Sequence, residues 1–109
     1  GFLKTRFFQA DFIPKTGYLN RRRLESLSQA NLIKANLSQI ILIKANFYQA
    51  DLNGANLRKA DLSKTDLRGV NLKGVKFNSV NLKGAGFAHA VLDETDFAGA
   101  TMPDGIIHD

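Results

Sequence analysis

Ala45-Asn46-Phe47-Tyr48-Gln49-Ala50-Asp51-Leu52-Asn53-Gly54-Ala55-Asn56-Leu57-Arg58-Lys59 holds three copies of one five-residue unit. The unit is Ala-(Asn/Asp)-Leu-x-x. Working outward, every fifth residue from Leu27 to Met102 is large and apolar: sixteen positions, with eleven Leu, four Phe and one Met. A second column lies two residues earlier, from Ala30 to Ala100. Its fifteen members are nine Ala, three Val, two Thr and Ile40. Between the columns stands Asn or Asp at ten of fifteen positions.

A helix cannot use this period, because five steps of about 100° carry the apolar residue around the axis. A long strand alternates with period two, and five is odd. A three-residue extended segment followed by a turn does fit. The first and third side chains then share one face and the second takes the other. Asn and Asp favour the turn because their side chains bond nearby backbone. Each unit thus forms one side of a coil, with the Ala and Leu positions inward. Gly54, Gly69, Gly74, Gly84 and Gly99 all fall in the turn register and serve backbone geometry. Periodicity of this kind marks a stacked repeat architecture.

The pattern over residues 27–102 resembles the pentapeptide-repeat family. That resemblance implies an all-β fold, a right-handed quadrilateral parallel β-helix with four units per coil and about four to five coils. It also implies vertical neighbours twenty residues apart, so that Leu37, Leu57, Phe77 and Phe97 would form one inner stack. The expected organisation is an irregular N-terminal coil or cap over 1–26 with a bulged loop at 14–24. The regular solenoid would cover 27–102 and a C-terminal cap 103–109. The tail resembles those that close cyanobacterial members of the family. Pro103 is expected to end pairing, Asp104-Gly105 to turn, and Ile106 or Ile107 to cover the last coil.

Two places break the rule. Phe2, Phe7 and Phe12 share the register of Leu27, but the next two central positions are Gly17 and Arg22. Around Leu42, Ile41 replaces the usual Asn or Asp, Ile43 is apolar at an outward position, and Ile40 is large for its column. On a twenty-residue coil Arg22 and Leu42 lie on the same side. Residues 14–24 are therefore expected to fold over Ile41 and Ile43; the alternative is an apolar patch for a partner.

Composition narrows the function classes. The chain has 109 residues and no Cys, so disulfides and thiolate chemistry are excluded. The interior is taken up by Ala, Leu and Phe. No nucleotide-binding loop, metal-ligand spacing or Ser/His/Asp grouping is present. The two histidines, His89 and His108, are expected on the surface. An enzyme is not expected, and no cofactor or metal is called for.

The net charge of +5 opposes mimicry of DNA, which some members of that family use against gyrase. Between Arg58 and Lys83 stand seven basic residues against Asp61 and Asp66, whereas Ala85 to Asp109 holds no Lys or Arg. The leading expectation is a structural or protein-interaction module, with Arg21, Arg22, Arg23, Ile41, Ile43 and Tyr48 as candidate contacts. A solenoid end is a candidate homodimer contact. Nucleic-acid or anionic-surface binding through the basic belt is the alternative. No apolar run is long enough to enter a membrane as a helix. The compartment is left open, the cytoplasm favoured over the thylakoid lumen or periplasm.

Overall fold

The computed structural model describes residues 26–109. The expected N-terminal coil, its bulged loop at 14–24, and Arg21 to Arg23 lie outside the described residues. Twelve parallel bridges join residue i to residue i + 20, from Ser26 with Asn46 to Asn81 with Thr101. One coil is therefore twenty residues, and the chain closes a four-sided parallel β-helix with one unit per side. The first side is centred on Leu27, Phe47, Leu67 and Phe87. The second carries Leu32, Leu52, Leu72 and Leu92, and the third Leu37, Leu57, Phe77 and Phe97. The fourth carries Leu42, Leu62, Leu82 and Met102.

Three backbone bonds repeat on each side. The central residue and the residue two on donate to the next coil, as Leu27 N–H does to Asn46 (2.7 Å) and Gln29 N–H to Tyr48 (2.9 Å). The next coil donates back, as Asp51 N–H does to Ala30 (3.0 Å). The corner is a β-turn closed by a bond such as Ala35 N–H to Leu32 O (3.0 Å). Its third residue has positive φ at every corner from Gln29 to Gly99, ten times without glycine. This is the type II turn, which places its third residue in the left-handed region.

One N–H per unit, on the residue after the central one, points out of the coil. The Asn/Asp column serves it. Asn31 accepts from Ile33, Asn46 from Tyr48, Asp61 from Ser63 and Asn71 from Lys73, all at 2.9–3.2 Å. All ten Asn and Asp residues of the column make this bond. The column is thus a set of side-chain turn locks.

The interior is a continuous apolar column. Phe47, Phe77 and the central Leu residues from 27 to 82 are buried, and the Ala and Val column packs beside them. Ile40 is also fully buried despite its size. Thr65 replaces an Ala at a corner and donates its hydroxyl to Leu62 O at 2.7 Å, so its burial leaves no polar atom unpaired.

The C-terminal end departs from expectation twice. Pro103 does not end pairing: its carbonyl accepts from Gly84 N–H at 2.9 Å. It sits where the N–H points outward, so the ladder loses nothing by its ring. Ile106 and Ile107 do not cover the last coil either, being 66% and 64% exposed. After the turn at Gly105 (φ +88) the chain runs back antiparallel, with Thr101 bridging Ile107. Gly99 N–H donates to His108 O and His108 N–H to Ala100 O, both at 2.8 Å. Backbone, not isoleucine side chains, pairs Gly99, Ala100 and Met102 at this end, while Phe97 N–H has no backbone acceptor.

Candidate interaction surface

The outer faces are built from the bridge residue and the two turn residues of each unit. Most are polar, as the lock and the turn demand. Ile41 and Ile43 break this on the fourth side, 44% and 42% exposed, and Tyr48 follows around the next corner at 37%. Ile41 cannot lock the turn, so Ile43 N–H lacks the side-chain acceptor that the Asn and Asp positions provide. The local sequence gives up a stabilising bond and exposes two isoleucines.

Tyr48 is not free-standing. The Arg68 guanidinium, one coil on, lies 5.1 Å from its ring centroid. Arg68 also grips Asp66 with two bonds, Nε to Oδ1 at 2.8 Å and Nη2 to Oδ2 at 2.7 Å. The bonds from Arg68 hold the Asp66 carboxyl below the ordinary carboxylate range, and Asp66 in turn raises the guanidinium. A second polar ladder runs down the third side. Arg58 Nε donates to Asn78 Oδ1 at 3.0 Å, and the Asn78 amide holds the Asp96 carboxyl below its usual value.

The basic residues do not converge. Arg68 lies on the first side, Lys73 on the second, Arg58, Lys59 and Lys76 on the third, and Lys64 and Lys83 on the fourth. His89 and His108 are exposed. Among the described residues no cluster of three or more His, Cys, Asp or Glu side chains could hold a metal ion. No helix among them is long and apolar enough to cross a membrane.

Of the six residues singled out from the sequence, Ile41, Ile43 and Tyr48 lie on two successive sides of one edge of the solenoid. Arg21, Arg22 and Arg23, and the covering of Ile41 and Ile43 by residues 14–24, lie outside the described residues. Sequence reasoning missed a second apolar surface, on the last coil. Val91 and Leu92 are 45% and 41% exposed, with Phe87 and Phe97 only partly buried. The signal was available for Phe87: the repeat register stops at Met102, so no repeat unit stands twenty residues after it.

The family model for pentapeptide repeats matches in eight copies over residues 26–58, 45–84 and 71–104. Among solved structures, a pentapeptide repeat protein from the Arabidopsis thaliana thylakoid lumen is 30% identical, with a TM-score of 0.71. That alignment covers 77% of this chain and 59% of the other. A pentapeptide repeat protein from the cyanobacterium Cyanothece 51142 is 34% identical with a TM-score of 0.58, covering 77% of this chain and 60% of that one. One from Nostoc Pcc 7120 is 30% identical with a TM-score of 0.56, covering 65% and 63%. The chain thus spans about 60% of the length of these relatives. No curated protein sequence matches.

Proposed function

The chain belongs to the pentapeptide-repeat family, with that family's right-handed β-helix, and from this we propose that it is a non-enzymatic protein-interaction module. One observation carries the reading. Ile41 and Ile43 are exposed on a face where the repeat elsewhere places polar residues. Ile41 also forfeits a turn lock that all ten Asn and Asp residues of its column provide. A position that gives up local stability to present an apolar side chain is a position used for contact.

The contact surface runs from Ile41 and Ile43 around the corner to Tyr48, whose ring is held by Arg68. Arg21 to Arg23 stand twenty residues before Ile41 to Ile43 in the sequence. They are the candidate ionic rim of the same surface. The partner is a protein with an apolar patch of similar width.

The experiment is capture from native extract on immobilised protein, with identification of bound chains by mass spectrometry. Ile41→Asp and Ile43→Asp are expected to lose the specific partner without loss of thermal stability. Retention of the same partner by both variants overturns this surface.

A second reading rests on charge. Residues 26–84 carry nine Lys and Arg against three Asp, which favours an anionic partner such as nucleic acid. Binding of that kind falls by orders of magnitude between about 50 and 200 mM salt. Capture that survives this range selects the apolar surface.

A further inference from the structure

Asn-Gly occurs once in the chain, at Asn53-Gly54. Asparagine is a thermolabile residue, and most so before glycine, which has no side chain to shield its own nitrogen. The reaction is internal. Gly54 N attacks Asn53 Cγ, and the new N–Cγ bond closes a five-membered succinimide. The Cγ–Nδ2 bond breaks, and the Gly54 N–H proton leaves with the side-chain nitrogen as ammonia. Water then reopens the ring. Addition at Cγ restores the main chain and leaves aspartate. Addition at the main-chain carbonyl carbon of residue 53 leaves isoaspartate, with the main chain running through Cβ and Cγ.

The folded coil blocks the first step. The peptide group between Asn53 and Gly54 is bonded on both of its edges. Lys34 N–H donates to Asn53 O at 2.9 Å from one neighbouring coil, and Gly54 N–H donates to Lys73 O at 2.8 Å in the other. The proton of the attacking nitrogen is thus held, and the peptide group cannot turn toward Cγ without leaving both coils. The leaving group is held as well, since Asn53 Nδ2 donates to the same Lys73 carbonyl at 3.2 Å. Ala55 N–H closes the corner across the pair on Leu52 O at 2.9 Å. Asn78-Ser79 occupies the same two corner positions, one coil and one side on. It is tied in the same way: Asn78 O accepts from Lys59 N–H at 2.9 Å, and Ser79 N–H donates to Ala98 O at 3.0 Å. Its serine side chain also shields the nitrogen, so it serves as an internal control.

We infer that Asn53-Gly54 is a deamidation site, silent in the stacked coil and opened when its coil separates from the neighbouring ones. Modification there records local unfolding of the repeat. The two products differ in whether the coil can close again. Aspartate keeps the main chain and loses only the amide bond to Lys73 O. Isoaspartate adds one atom to the main chain inside a corner that the ladder holds on both sides. Gly54 N–H and Ala55 N–H then cannot both regain Lys73 O and Leu52 O. The isoaspartyl product therefore makes the opening permanent. The site is separate from the Ile41 surface and stands without it.

Incubation of the full chain in mildly alkaline buffer tests this, once native and once unfolded in guanidinium chloride. The tryptic peptide Ala45–Arg58 is then separated by chromatography into its asparagine, aspartate and isoaspartate forms, with mass spectrometry to locate the change. In the unfolded chain position 53 is expected to convert before position 78. In the native chain conversion at position 53 should be about a hundredfold slower or more. Asn53→Gln must close a larger ring and should abolish the fast conversion. After removal of denaturant, Asn53→Asp should refold by circular dichroism, whereas chains with isoaspartate at position 53 should not. Native conversion within about tenfold of the unfolded rate overturns protection by the coil. Conversion of position 78 ahead of position 53 in the unfolded chain overturns the assignment of the site. Isoaspartyl chains that regain the parent's melting temperature overturn the permanence of the opening.

Discussion

Leu72 and Leu92 occupy the same position of the same side, one coil apart. Leu72 is fully buried, whereas Leu92 is 41% exposed. Their own units, Val70-Asn71-Leu72 and Ala90-Val91-Leu92, are equally apolar at the inward positions. The difference is supplied by the neighbours: Leu72 has Leu52 on one side and Leu92 on the other, and Leu92 has only Leu72. In a solenoid, burial is a property of the stack rather than of the unit.

The largest effect should separate these two leucines. Leu72→Ala removes a buried side chain with neighbours on both faces and should cost about 2–5 kcal/mol. Leu92→Ala gives up contacts on one face only, and its cost should be no more than about half as large. Urea denaturation followed by circular dichroism gives both numbers. Equal costs would mean that the last coil is covered in solution.

The corners offer a second comparison. Gly74 has φ +70, and a Cβ built there comes no closer than 3.9 Å to Gly54. Gly69 has φ +69, but its Cβ would stand 3.2 Å from Gln49 Cγ. Gly74→Ala should therefore carry the cost of left-handed backbone alone, about 1 kcal/mol. Gly69→Ala should cost more unless the Gln49 side chain swings aside. Thermal melts of the two variants decide this, and a larger loss for Gly74→Ala would contradict the geometry.

These corners also mark how far the sequence could be read. The Leu and Ala columns make the coil legible in the sequence, and the Asn/Asp column announces its turns. The turn glycines pointed to the right positions. What the residue types could not convey is that Gln29, Lys34 and His89 adopt the same positive φ as those glycines. The ladder on either side forces that conformation on them, overriding their own preference. The end of the solenoid differs from its expectation for a similar reason. Ile106 and Ile107 looked like a lid because they are apolar, but the returning backbone takes the edge bonds first and leaves both side chains outside. Of the candidate site, Ile41, Ile43 and Tyr48 are visible as exceptions to a strict pattern, whereas Leu92 keeps the pattern and its exposure shows only in the structure.

Ile41 and Asn71 form the next pair, one without the turn lock and one with it. Asn71→Ala removes the acceptor for Lys73 N–H (3.1 Å) and should cost about 1 kcal/mol. Ile41→Asn should do the reverse for Ile43 N–H and stabilise the fold by about 0.5–1 kcal/mol. A gain in melting temperature with loss of partner capture would show that Ile41 is kept for contact at the expense of the fold. Destabilisation by Ile41→Asn would instead show that its side chain is covered within the chain.

The smallest effect is expected where the ionic geometry is best formed. Asp66 is held by two bonds from Arg68, yet the Arg68 and Asp66 side chains are 56% and 30% exposed, so solvent screens the pair. The folded carboxyl titrates below its unfolded value of about 3.9. Whatever stability the pair gives is thus present above that pH and is lost as the pH falls through the lower, folded pKa. Arg68→Ala should move the Asp66 titration upward by NMR. The shift should be partial, because the backbone N–H of residue 68 still donates to Asp66 Oδ1 (3.1 Å). It should also free the Tyr48 ring, with little change in the melting temperature near neutral pH. An unchanged Asp66 titration would mean that the Arg68 grip does not persist in solution, and that Tyr48 reaches a partner without its cation.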